Sequence, residues 1–182
     1  MTFDDFKSDF VVHRMHDGEY VEAFECGEND LNNFIMHDAS LYLNEKLAVT
    51  YIVYKKDNPK KVEAFFSLSN DRISVGDFDN KTKYNKFSKR FNNHKRLKSY
   101  PAAKIGRLAV SSSMKGNGIG SILLYFIKTY FLIDNKTGCR FITVDALASA
   151  VPFYEKNNFI PLNDEDINDR TRLLYFDLND LK

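Results

Sequence analysis

The sequence predicts an α+β, or mixed α/β, fold built on one mixed sheet, and three observations carry that expectation. Short segments rich in β-branched and aromatic residues recur at 10–14, 48–54, 62–69, 103–110, 140–145, 159–162 and 172–178. Stretches with apolar residues at helical spacing (28–44, 121–132 and the shorter 149–156) fall between them, an order that fits a mixed sheet with helices packed against it. The bulk composition, 43% hydrophobic and 14% aromatic over 182 residues, suffices to bury a core in a single domain.

Taken in order, 10–14 is a short apolar strand. In 28–44 the residues Leu31, Phe34, Ile35, Ala39 and Tyr42 share one helical face, and Asn29 or Asp30 is placed to cap that helix. Strands 48–54 and 62–69 are separated by Asn58 and Pro59, which read as the turn of an antiparallel hairpin. After Pro101 comes strand 103–110, then a glycine-rich loop, then a helix whose Ile122, Leu123, Phe126, Ile127 and Tyr130 mark one buried side. Strand 140–145 follows, then a short helix with Pro152 in its first turn, then two closing strands. No repeat or low-complexity linker divides the chain, so one domain over 1–182 is expected, with 76–99 as an insertion.

That insertion is where the charge lies. Formal net charge is +1, which by itself points to neither a nucleic acid nor a membrane. Between 76 and 99, however, eight Lys and Arg stand against Asp77 and Asp79, a local +6. Tyr84, Phe87 and Phe91 at i, i+3 and i+7 would line one helical face there. Two readings stay open: a surface helix that buries its aromatics, or a basic face that meets RNA phosphates.

Cys26 and Cys139 lie far apart without metal-ligand spacing, which predicts buried thiols, no disulfide, no metal site and a reducing, cytoplasmic setting. The first nine residues carry acids and no apolar leader, and no run approaches the ~20 apolar residues of a membrane span.

The chemistry is announced by Lys115, Gly116, Asn117, Gly118, Ile119, Gly120 and Ser121, set between a strand and a helix. Glycines there let backbone N–H groups face an anion, and a helix N-terminus adds partial positive charge. By its glycines alone the stretch is an anion site or a helix-starting turn. It is not a nucleotide P-loop, which ends in Gly-Lys-Ser/Thr, nor a dinucleotide loop, which needs two residues before its last glycine.

Preceded by Gly106, Arg107, Leu108, Ala109 and Val110, the loop resembles the coenzyme A loop of the GNAT acetyltransferase superfamily, with Lys115 where Gln or Arg is usual. A second element, Ala150 through Phe153, Tyr154, Glu155 and Lys156 to Phe159, looks like that superfamily's Ala-x-x-Phe-Tyr-Glu-Lys-x-Gly-Phe. It departs at Asn158, which replaces a glycine and tolerates a left-handed backbone, and at Leu147, where many relatives carry Asn. Cys26, Gly27, Asp30, Leu31 and Phe34, with 50–53 and 65–69, resemble the branch that includes toxins acetylating aminoacyl-tRNA.

The resemblance implies a mostly antiparallel sheet of six to seven strands flanked by helices. It implies acetyl-CoA as cosubstrate, its pyrophosphate held by 115–121, its pantetheine arm paired with Leu108, Ala109 and Val110, and Phe153 beside it. The thioester would lie at a gap between strands ending near Val110 and Asp145. Tyr154, a core residue by spacing alone, becomes by resemblance the acid that protonates the departing thiolate. No general base announces itself; Asp71, Asp145 and His94 can be nominated. The acceptor is a primary amine on a small molecule, a protein or aminoacyl-tRNA, with a non-catalytic CoA-binding protein as a further reading and a homodimer as a further partner.

Overall fold

The protein is described from a computed structural model covering residues 1–91, 97–133, 135 and 138–181. Its contacts form two compact units, Met1–Ser69 with Ile105–Ile127, and Asn70–Lys104 with Lys128–Lys182. Among the described residues seven strands are ordered β1-β2-β3-β4-β5-β7-β6: β1 Phe10–Arg14, β2 Val49–Lys55, β3 Asn58–Ser74, β4 Ser99–Val110, β5 Phe141–Leu147, β6 Ile160–Pro161 and β7 Thr171–Asp177. Strands β1/β2, β2/β3, β5/β7 and β6/β7 pair antiparallel, while β4 and β5 pair parallel through Ala102–Lys104 and Phe141–Thr143. This is the mixed, mostly antiparallel sheet the resemblance implies.

In the first unit, α1 Phe3–Asp9 is a helix that the sequence reading missed. Thr2 and Asp5 form a reciprocal capping box, and Phe6 is its one buried side chain, too little periodicity to read. The helix expected over 28–44 is present as α2 Asn29–Asn33, a π-turn Phe34–Asp38 and α3 Ala39–Asn44. Neither Asn29 nor Asp30 caps it: Leu31 and Asn32 donate to the Glu28 carbonyl, so the helix begins one residue earlier. Phe34, Ile35, Ala39, Ile52, Phe65 and Ala109 belong to one buried cluster, and the Arg107 guanidinium lies over the Phe34 ring at 3.8 Å. The β2–β3 hairpin turns at residues 56–57, not at Asn58-Pro59, because Pro59 sits at the start of β3, where a missing N–H is tolerated.

In the second unit, α4 Lys81–Ser88 buries Tyr84 and Phe87 with Ile73, Tyr100, Phe141 and Tyr175. Phe91 lies beyond the end of α4 and stacks on Tyr100 at 4.1 Å. The aromatics of the basic segment therefore serve packing. Helix α5 Ile119–Leu132 runs from the first unit into the second, and α6 Val151–Lys156 carries Pro152 in its first turn. Both cysteines are buried and free, and among the described residues no helix is long and apolar enough to cross a membrane.

Candidate active site

The loop after β4 places two of its three glycines in left-handed backbone. Gly116 and Gly118 take φ of +79° and +80°, a region L side chains avoid, and a Cβ at either would meet nothing within 4 Å. Glycine is required there by conformation, and the space in front of the backbone is open. Ile122 donates to the Gly118 carbonyl at 3.1 Å, so α5 starts directly after Gly118. The amides of Ile119, Gly120 and Ser121 precede Ile122, the first intrahelical donor, and α5 places its positive end at the same spot. Lys115, Gly116, Asn117 and Gly118 are exposed while Ile119 is buried and anchors the helix start. Asn117 Nδ2 donates to the Met114 carbonyl at 3.3 Å and ties the loop to the turn before it.

Leu108, Ala109 and Val110 end β4, with Ala109 buried and its neighbours half-buried. The chain then makes a tight turn, Ser112–Met114, held by residues absent from the sequence reading. Ser111 N–H donates to the Glu63 carbonyl at 2.8 Å, its hydroxyl to the Glu63 carboxylate at 2.8 Å, and Ser112 N–H to the Glu25 carbonyl at 2.8 Å. Burial would push the Glu63 carboxyl up, but hydrogen bonds from Lys61 and Ser111 and the Lys61 charge outweigh it and hold it below its ordinary value. Gly27, at φ +85°, passes beneath Lys115; a Cβ there would lie 3.4 Å from Lys115 Nζ. Burial raises the Cys26 thiol, which favours its protonated form.

In the second unit, Tyr154 is 6% exposed on α6, with the rings of Phe153 and Phe159 edge-on at 5.1 and 5.5 Å. Burial pushes its phenol well above the usual value, so it holds its proton at neutral pH and can donate but not act as a base. Asn158 has φ +64°, doing what a glycine would do, and Phe159 N–H returns to the Tyr154 carbonyl at 3.1 Å. Lys128, 4% exposed, donates to the Asn157 carbonyl at 2.5 Å, and burial lowers its ammonium to about 8. Sequence reading missed it because Lys128 sits next to the apolar stripe of α5, not in a motif.

Of the nominated bases, Asp71 accepts from Thr143, Asp145 is paired with Lys104, and His94 lies outside the described residues. Leu147 is 38% exposed at the end of β5. Beside α4 lies a groove of about 410 Å³ rimmed by Lys83, Lys86 and Arg90. Lys83 is held by Asp79 and Asp164, whereas Lys86 and Arg90 have no carboxylate partner among the described residues.

The family description "Acetyltransferase (GNAT) domain" matches residues 86–178, just over half of the chain. Among solved structures, AtaT complexed with acetyl-methionyl-tRNAfMet is 24% identical with a TM-score of 0.75, covering 94% of this chain and 96% of that one. A tyrosine-to-phenylalanine mutant of KacT is 22% identical at 0.76, over 94% and 96%. AtaTR bound with acetyl-CoA is 24% identical at 0.75, over 94% and 95%. At these identities the likeness establishes a shared fold.

Proposed function

The chain belongs to the GNAT acetyltransferase family, and we propose that it moves the acetyl group of acetyl-CoA onto the α-amino group of an aminoacyl-tRNA in the cytoplasm. The observation that carries the cofactor assignment is the pair of left-handed glycines, Gly116 and Gly118, directly ahead of the N-terminus of α5. Backbone amides from Lys115 to Ser121 are suited to the pyrophosphate, whose charge the helix end favours. Leu108, Ala109 and Val110 offer strand backbone to the pantetheine arm, with Phe153 packing against it. Acetyl-CoA supplies an activated thioester.

The chain's own residues then align, polarise and protonate. The Val110 amide stabilises charge on the carbonyl oxygen as the amine nitrogen attacks. The C–N bond forms as the C–S bond breaks, Tyr154 gives its proton to the thiolate sulfur, and a proton leaving the nitrogen restores the phenol. The protonation state of Tyr154 supports this direction of transfer.

Two observations support an aminoacyl acceptor. Asp71 and Asp145 are each engaged with a neighbour, which leaves no free base among the nominated carboxylates. A lysine amine, with a reference pKa of about 10.4, needs such a base; an α-amine near 7.7–8.0 is already partly neutral at pH 7. The fold is also shared along nearly the whole chain with AtaT, a structure of which holds acetyl-methionyl-tRNA. Lys86 and Arg90 are proposed to meet RNA phosphates. Mass spectrometry of tRNA after incubation with labelled acetyl-CoA tests the reading: acetylated aminoacyl-adenosine is expected. Label on small amines or proteins alone would overturn the acceptor, and no release of free thiol with any amine would make the chain a CoA-binding protein.

A further inference from the structure

Glu63 is 4% exposed near the start of the buried run 62–68 of β3, where a carboxylate is costly unless something holds it. The β2–β3 register accounts for its position. Val53 faces Ala64 and Tyr54 faces Val62, so Glu63 has no residue opposite it and forms a β-bulge. A bulge breaks the alternation of the strand and re-aims the extra side chain. Here it turns the carboxylate onto the residues that follow β4.

There the partners are specific. Ser111 Oγ donates to Oε2 at 2.8 Å and Ser113 Oγ to the same oxygen at 3.3 Å. Lys61 Nζ donates to Oε1 at 2.9 Å and also to Ser113 Oγ at 3.0 Å. Glu63 thus holds the turn between Val110 and Lys115 at Ser111, through main chain and side chain at once, and at Ser113 through its side chain. That turn joins the strand end expected to bind the pantetheine arm and the carbonyl oxygen to the loop expected to bind the pyrophosphate.

We infer that Glu63 is a positioning residue for acetyl-CoA: bulged out of β3, it fixes the 111–114 turn so that the β4 end and the glycine loop keep the spacing the cosubstrate needs. The inference rests on the assignment of the loop to acetyl-CoA.

Equilibrium binding of acetyl-CoA to the full chain tests it, using wild type, Glu63→Gln, Ser111→Ala, the double variant, and Gly118→Ala as a loop control. Glu63→Gln and Ser111→Ala should each weaken binding roughly ten-fold, about the loss of one charge-assisted hydrogen bond. The double variant should be no worse than about the weaker single, since both break one network. Turnover at saturating acetyl-CoA should stay within about two-fold, a split between KM and kcat that general destabilisation does not produce. Unchanged affinity in a folded Glu63→Gln, or effects that multiply in the double variant, overturns the inference. If Glu63→Gln does not fold, Ser111→Ala decides alone, with unchanged affinity again fatal. Should Gly118→Ala bind acetyl-CoA like wild type, the loop assignment itself fails; loss there without loss at Glu63 sinks only the positioning role.

Discussion

Replacing Lys128 with Met should remove a pH dependence of stability that the native fold carries. The Lys128 amine is nearly sealed, donating to the Asn157 carbonyl and lying 3.7 Å from the Phe176 ring centroid and 5.0 Å from that of Phe159. The carbonyl and the rings favour the ammonium, but burial dominates and lowers it from 10.5 to about 8. A gap of about 2.5 pH units, at about 1.36 kcal/mol each, means that keeping this amine charged costs the fold up to ~3 kcal/mol.

The direction follows from proton counting. The folded chain releases this proton near pH 8 and the unfolded chain near 10.5, so between those values the unfolded state holds more protons and stability rises with pH. Urea denaturation followed by far-UV circular dichroism, from pH 7 to 10.5, measures it. The stability of wild type minus that of Lys128→Met should climb by ~3 kcal/mol across the window, with titrations common to both proteins cancelling. At pH 7 the variant trades the cost of a buried charge for an unpaired Asn157 carbonyl, worth about 1–3 kcal/mol. A difference that stays flat from pH 7 to 10.5 would refute the reasoning.

Tyr154→Phe should lower turnover by about ten- to ten-thousand-fold, the range for general acid catalysis, while acetyl-CoA affinity is kept; an unchanged rate in stopped-time thiol release removes Tyr154 from the chemistry. Because burial raises the phenol, wild-type turnover should show no loss from Tyr154 ionisation between pH 7 and 9. Gly118→Ala places a β-carbon at φ +80°, where strain alone costs about 1–2 kcal/mol, so melting temperature and acetyl-CoA affinity should both fall; calorimetry showing neither change contradicts the loop geometry. Replacing Lys86 and Arg90 together with Ser should weaken aminoacyl-tRNA binding and flatten its log–log salt dependence by roughly 1.5, with folding intact. The same slope in wild type and variant would show that these two cations do not meet phosphates.

Much of the fold was legible because its residues follow the periods that sequence displays. Strand 10–14 by its apolar run, and helix 121–132 and the aromatics Tyr84 and Phe87 by their helical period, appear where those patterns put them, except that Tyr130, expected on the buried side of the helix, is 50% exposed. The glycine loop and Asn158 were legible for a different reason: a positive φ restricts residue type so strongly that composition alone marks the position. Helix α1 escaped because one buried Phe6 gives no period, its start being set by the Thr2 and Asp5 cap instead. Asn58-Pro59 misled because proline at the first residues of a strand looks the same in sequence as proline in a turn.

What remained hidden in the site depends on contacts between residues distant in sequence. Glu63 and Ser111 are 48 positions apart, and Lys128 and Asn157 are 29 apart. In each case a costly buried charge faces a backbone or hydroxyl partner on another element, which no local window can display. The sequence does carry half of each signal, an acid inside Val62–Ala64 and a lysine beside the apolar face of α5, since a charge among apolar residues demands a partner. Which partner it finds is decided by register, and for Glu63 the register includes a bulge. The bulge interrupts the alternation at Glu63, so a reading by alternation does not place the carboxylate against the turn it holds. The site is therefore sensitive to a single deletion: removing the residue at position 63 would abolish this bulge and leave Ser111 and Ser113 without their acceptor.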